Sequence, residues 1–89
     1  MEHGWLQDFI ALIETGSFSE AAKRRNSSQS AFSRRIQALE FWLGTRVVDR
    51  ATQPVTITPD GMAFVSRARE LLALADDARR HGKSKSNIL

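Results

Sequence analysis

Hydrophobic residues recur along this chain in three helical stretches, one short β-prone stretch and a final long helical one. Between residues 4 and 15, Leu6, Phe9, Ile10 and Ile13 fall at helical spacing, Trp5 and Leu12 widen the stripe, and Asp8 and Glu14 lie outside it. The pattern predicts an amphipathic helix whose stripe is core. Gly16 follows as a natural C′ residue, since it tolerates positive φ. Ser17-Phe18-Ser19-Glu20 then has the form of a capping box, with the Ser17 hydroxyl on the Glu20 amide and the Glu20 carboxylate reaching back. Phe18, Ala21 and Ala22 give this second helix a small buried face, on which the alanines admit a close neighbour. Lys23, Arg24 and Arg25 leave its end cationic, which suits the C-terminal dipole.

Asn26 and Ser27 make a turn, and Ser28 is the expected N-cap of a third helix. Phe32, Ile36, Leu39 and Leu43 follow at i, i+4, i+7 and i+11, a stripe long enough to anchor in a core. Gly44 closes the helix. Gln29, Ser30, Ser33 and Arg34 face away from that stripe. The period then changes: Val47-Val48-Asp49-Arg50 and Val55-Thr56-Ile57-Thr58 predict a small antiparallel hairpin across Ala51–Pro54, with an edge made irregular by Pro54.

Thr58-Pro59-Asp60-Gly61 opens the last helix, with Thr58 as N-cap, Pro59 at the first helical position and Asp60 at the positive dipole end. It should run to about Arg80, a rod of roughly 33 Å. Val65, Ala68, Leu72 and Ala75 have a/d-like spacing, with Phe64, Leu71, Leu74 and Ala78 beside them. That band is broad for one neighbour. It predicts a first part clamped to its own domain and a second part, with Leu71, Leu72, Ala75 and Ala78, offered to another copy. The competing expectation is a helix folded wholly on its own core. Residues 81–89, HGKSKSNIL, read as a linker or as a truncated end, since a helix that long is expected to lead to a further domain.

Two helices joined by a short turn, the second with a polar N-terminal face, make a helix-turn-helix, and the hairpin after it makes a wing. In that geometry the second helix enters the major groove. Ser28, Gln29, Ser30, Ser33, Arg34 and Arg35 suit such a position, because Gln pairs with an adenine edge, Arg with a guanine edge, and Ser with bases or phosphates. At the wing, Arg50 and Gln53 are the available donors for phosphates or a minor groove; alternatively Arg50 pairs with Asp49 or caps a carbonyl. Lys23 and Arg24 serve either as dipole complement or as phosphate contacts.

Charge fits this picture. The net charge is +3, but residues 17–50 carry +4 while the remainder sums to −1, a basic middle of the kind a polyanion-binding face has. At 89 residues and 42% apolar content the chain is one folded domain near the lower limit of independent stability. No segment has the ~20 apolar residues of a membrane span. The N-terminus does not resemble a signal peptide, so the expected location is cytoplasmic. With no cysteine and with His3 and His81 near opposite ends, neither a metal site, nor a cofactor site, nor a catalytic constellation is expected, and the chain does not read as an enzyme.

With these residues in view, the chain resembles the N-terminal DNA-binding region of bacterial LysR-type transcriptional regulators. The resemblance is carried by Phe9–Gly16, the run GSFSEAA (Gly16–Ala22), SQSAFSRRIQALE (Ser28–Glu40), Leu43-Gly44 and Ile57–Gly61, in order and at the right spacing. It implies a mainly α fold: a winged helix-turn-helix of three helices and a small β-hairpin wing over residues 1–58, then a long dimerisation linker helix over 59–81. Residues 82–89 would begin a hinge toward an effector-binding domain. The resemblance further implies a homodimer through the linker helix, usually a tetramer at full length, on an interrupted inverted repeat of double-stranded DNA. By position, Ser28, Gln29, Ser30, Ser33 and Arg34 match groove-facing residues, Arg35 and Ser17 match phosphate contacts, and Gln53 sits where a wing-tip Arg is frequent.

The departures are specific. Arg25 and Ser27 stand where apolar residues are usual, which should loosen packing under the recognition helix or be compensated locally. Ser30 replaces a common Pro and removes a preset φ from the helix start. Phe41 and Trp42 replace polar residues, and one of them should pack against the linker helix or a partner. Two other functions stand beside sequence-specific DNA binding: a protein-interaction module that keeps the winged fold without DNA, and a non-specific nucleoid protein, which base-reading types such as Gln29 and Arg34 disfavour.

Overall fold

A computed structural model describes residues 3–88, with side chains described for 4–80. Six elements follow in order: α1 (His3–Thr15), α2 (Phe18–Arg24), α3 (Gln29–Leu43), β1 (Val48–Asp49), β2 (Thr56–Ile57) and α4 (Pro59–Ile88). The architecture is the mainly helical, winged one expected.

The core forms where the stripes of α1, α2 and α3 meet. Leu6, Phe9 and Leu12 of α1, Ala21 and Ala22 of α2, and Phe32, Ile36 and Leu39 of α3 are buried, and Val47, Val48, Val55 and Ala68 close the cluster. Phe18 of α2 meets Phe32 of α3 edge to face, with ring centroids 5.9 Å apart. One expectation fails here. Asp8 is not outside the stripe but fully buried, because on a helix it lies about 40° from Leu12 and the neighbouring elements wrap that flank of α1.

Both ends of α2 and of α3 are closed by local sequence signals. Ser17 Oγ accepts from the Glu20 amide at 3.2 Å, as expected of the capping box. The Glu20 carboxylate does not complete it; it faces Lys23 Nζ at 3.6 Å. At the end of α2 the chain turns through Asn26 at φ 54°. Asn26 N–H donates to the Lys23 carbonyl and Ser27 N–H to the Ala22 carbonyl, a Schellman closure in which Asn takes the left-handed position usually given to Gly. Ser28 Oγ accepts from the Ala31 amide at 3.2 Å, starting α3. Gly44, at φ 77°, ends it in the same way, through Gly44 N–H to the Phe41 carbonyl and Thr45 N–H to the Glu40 carbonyl.

The wing is shorter than expected, pairing only Val48 with Ile57 and Asp49 with Thr56, antiparallel. Its placement comes from contacts outside the ladder. Glu40 Oε2 accepts from the Val47 and Val48 amides at 2.9 and 3.3 Å, and Val55 N–H donates to the Gly16 carbonyl at 3.1 Å. One strand is thereby tied to α3 and the other to the end of α1.

Thr58 starts α4 as its N-cap, accepting from the Gly61 amide at 3.0 Å and donating to the Arg46 carbonyl at 2.6 Å. Phe64 packs against Phe9 with centroids 5.8 Å apart, and Ala68 is fully buried. The first turns of α4 are thus clamped to the domain. The helix then leaves it: Leu71 and Leu74 are exposed large hydrophobics, and Ala75 and Ala78 are exposed too. The helical backbone passes the expected end near Arg80 and continues to Ile88. A lone interior glycine such as Gly82 costs a helix only about 1 kcal/mol and does not stop it. The helix makes the molecule elongated, 52 × 26 × 20 Å.

Gly61 is where α4 approaches the wing most closely. A Cβ there would run into the Val47 carbonyl and come within 2.7 Å of Ile57 Cγ2. Gly61→Ala is expected to destabilise the fold by about 2 kcal/mol, as overpacking against backbone does. Urea unfolding measures this, and an unchanged midpoint would mean that α4 shifts away at no cost.

Candidate nucleic-acid interface

The outward side of α3 is a second stripe, offset from the buried one. Ser30, Arg34, Gln37 and Phe41 repeat the i, i+4, i+7, i+11 spacing of Phe32, Ile36, Leu39 and Leu43, and all four are exposed. Because the buried stripe fixes the roll of the helix, it also fixes which side chains the outer stripe presents. Gln29 is exposed at the first turn. Neither Gln29 nor Arg34 makes a side-chain hydrogen bond or ion pair among the described residues. Phe41 is 89% exposed and Trp42 54%. The expected packing on the linker helix of the same chain is therefore not made by Phe41, which ends the polar stripe.

The serines are differently placed. Ser28 Oγ caps α3 and lies 3.5 Å from Ser30 Oγ, so Ser30 replaces the preset φ of a proline with a hydroxyl contact in the first turn. Ser33, half-buried, accepts from Arg50 Nη1 at 2.6 Å. The Arg50 guanidinium also lies over the Phe18 ring, 4.5 Å from its centroid. Neither bland expectation for Arg50 is met, since Asp49 Oδ1 instead accepts from the Ala51 amide at 2.9 Å. Arg50 joins the wing to α2 and α3 at one point. Ser17 Oγ is engaged in capping α2, and Gln53 is exposed at the wing tip.

The basic middle of the chain separates into paired and unpaired charge. Lys23 faces Glu20, and Arg24 donates to Glu14 at 2.8 Å. Both pairs are exposed, and such pairs are weak enough to exchange partners. Arg34 and Arg46 have no carboxylate partner among the described residues. Arg46, at the exposed approach to the wing, was not singled out in the sequence, where nothing distinguishes it from any surface arginine.

Beneath α3 lies a polar cluster that sequence reasoning also missed. Asp8 Oδ1 accepts from Arg25 Nε at 2.8 Å, and Asp8 Oδ2 from Arg35 Nε at 2.7 Å. Arg35 Nη2 reaches Asp8 Oδ1 at 3.3 Å, and Arg35 Nη1 donates to Ser27 Oγ at 3.2 Å. Arg25 and Ser27, the two departures expected to loosen packing, are therefore compensated locally by a carboxylate from α1. The signal was present as two coupled oddities, a carboxylate beside Leu12 and an arginine in an apolar position. Among the described residues no buried side-chain polar atom lacks a partner.

Residues 3–62 match the family model described as bacterial regulatory helix-turn-helix protein, lysR family. A transcriptional regulator of Azotobacter vinelandii, encoded in an ibpB-leuC intergenic region, is 45% identical over 80 residues, covering 90% of this chain and 56% of the relative. The chain thus spans about half the length of that relative, and only 24% of the Escherichia coli regulator YjiE, to which it is 44% identical. Among solved structures, Vibrio fischeri DarR in complex with DNA superposes with a TM-score of 0.97 at 39% identity, over 99% of this chain and 30% of DarR. The BenM DBD in complex with catB site 1 DNA gives 0.91 at 36% identity, over 98% of this chain and 94% of the other.

Removing the Asp8 carboxylate strands two guanidiniums beside an apolar core. Asp8→Ala is expected to cost about 3 kcal/mol, the lower end for breaking a buried pair because both arginines keep some solvent contact. Chemical denaturation checks this; a loss no greater than that of Glu14→Ala would show the cluster to be energetically idle.

Proposed function

The chain belongs to the lysR family of bacterial regulatory helix-turn-helix proteins, and we propose that it is the DNA-binding part of a dimeric regulator that reads an interrupted inverted repeat in double-stranded DNA. The observation that carries this reading is the outer stripe of α3. Arg34 on that stripe and Gln29 at the first turn, the two residue types suited to bidentate contact with guanine and adenine edges, stand exposed and uncommitted on a helix whose opposite stripe is locked in the core. Ser28, Ser30 and Ser33 supply shorter contacts around them. Ser17 and Arg35 contact the backbone, and the wing adds Arg50 and Gln53. DarR and BenM, both solved with DNA, have the same fold over nearly this whole chain.

The dimer runs through α4. Leu71, Leu72, Ala75 and Ala78 form the interface, and the exposure of Leu71, Ala75 and Ala78 beyond the clamped first turns supports it. Leu72 also packs partly on the domain's own core. An open groove of about 470 Å³ between α1 and α4, lined by Gln7, Leu72, Ala75, Asp76 and Arg79, adjoins this face. Residues 1–58 form the DNA-binding unit, 59–81 the linker helix, and 82–89, although helical in backbone as far as Ile88, lead to a hinge and an effector-binding domain. The full-length assembly is a tetramer in the bacterial cytoplasm; no helix among the described residues is long and apolar enough to cross a membrane. DNA binding of this kind involves no enzymatic step and no cofactor.

Duplex affinity should fall linearly in log K with log salt. No binding at low salt would sink this reading and favour the protein-interaction module. Arg34→Ala should lose roughly 1–3 kcal/mol on a selected site and much less on a scrambled one; equal losses on both would make Arg34 a phosphate contact. Leu71→Glu should weaken self-association in sedimentation, and an unchanged profile would place the dimer contact elsewhere.

A further inference from the structure

On the flank of α3 away from the wing, one buried carboxylate holds two guanidiniums. Asp8 has no exposed surface, whereas the Arg25 and Arg35 side chains remain 30% and 32% accessible. One negative charge against two positive ones leaves the cluster cationic, with its carboxylate inside and part of each arginine side chain at the surface. Arg35 meets Asp8 through Nε and Nη2 together. A fork of this kind fixes the plane of the guanidinium as well as its position. The Arg35 guanidinium also lies 5.8 Å from the centroid of the Phe32 ring.

The placement matters because Ser33 and Arg35 are about 200° apart around the helix axis. Ser33 is held by Arg50 from the wing side, so the Asp8 cluster occupies the opposite flank. A helix lying in the major groove has a phosphate strand on either side of it. An arginine already fixed in orientation has little freedom left to lose when a phosphate arrives. We infer that Asp8 is a positioning residue for DNA-backbone binding: it holds Arg35, with Arg25 beside it, as a preset phosphate seat on the flank of α3 opposite the wing. The inference rests on the DNA-binding reading above and adds the residue that orients the contact. It also gives Arg25 a role that an apolar residue at that position would not have.

The test uses the full 89-residue chain and the double variant Asp8→Leu/Arg25→Leu. It removes one charge of each sign, so net charge is unchanged, and it replaces the cluster with apolar packing while leaving Arg35 in place. Thermal unfolding reports whether the variant is folded. Binding is measured at several salt concentrations to a duplex selected with the wild-type protein and to a scrambled duplex of the same length. The expected result is a folded variant whose affinity falls about tenfold on both duplexes, the size of one charge-assisted hydrogen bond. Its log K against log salt should be shallower by about 0.9, one phosphate contact. A folded variant with wild-type affinity and slope overturns the inference and makes the cluster purely architectural. A loss confined to the selected duplex also overturns it, because base reading would then be what Asp8 governs. Should the double variant not fold, Arg35→Lys decides: it keeps the charge and leaves Asp8 paired with Arg25, and an equal loss on both duplexes supports the inference while unchanged binding overturns it. A wild-type protein that binds no duplex at low salt overturns the DNA-binding reading itself, and this inference with it.

Discussion

A carboxylate without water must be matched by donors, and in this protein that requirement joins three helices. Asp8 sits on α1, Arg25 caps α2 and Arg35 lies on α3, so satisfying one buried charge sets the position of α3 relative to the other two. Apolar packing alone is less particular. The contacts of Phe32, Ile36 and Leu39 bury the right side of α3, but hydrophobic contact is non-directional and tolerates small rolls and slides. The Arg35 fork and the Arg25 Nε bond tolerate them less, because their hydrogen bonds have fixed geometry.

The wing is held by the same economy of short polar contacts. A two-residue ladder is too small to be stable by itself. Here Glu40 takes the Val47 and Val48 amides, Thr58 takes the Arg46 carbonyl and Gly16 takes the Val55 amide, so backbone groups that a longer sheet would pair are satisfied by helix-borne and turn-borne partners. Arg50 then binds Ser33 and covers Phe18. The outer stripe of α3 is thus braced on one flank by the wing and on the other by Asp8, leaving Ser30, Arg34 and Gln37 open between them.

The last helix divides by environment. Up to Leu72 its inner side is matched by Phe9, by the wing near Gly61 and by the rest of the core; after that the domain ends while the apolar pattern does not. Exposed Leu71 and Leu74 are costly to leave in water at about 25 cal/mol per Å² of apolar surface, which is the physical ground for proposing a second copy on that face.

Much of this was legible in the residues. The stripe Phe32, Ile36, Leu39, Leu43 and the caps Ser17, Ser28, Thr58 and Gly44 determine helices and their ends because those signals are local: a hydroxyl accepts from an amide three residues on, and a glycine adopts a left-handed φ, whatever lies elsewhere in the fold. The outward direction of Arg34 follows from the same periodicity, whereas Gln29, three residues before Phe32, is exposed because it stands at the first turn of α3. What the tertiary structure alone decided are matters of partnership. Asp8 looked like a solvent-facing position, and Arg25 and Ser27 looked like weaknesses, because a sequence shows each residue only beside its chain neighbours. Asp8 and Arg35 are 27 residues apart, and only the packing of α1 against α3 removes the water from between them and makes their charges each other's solvation. Likewise Arg50 had two candidate partners nearby in sequence and took a third 17 residues away, since folding had brought the face of Phe18 and the hydroxyl of Ser33 within reach of one guanidinium.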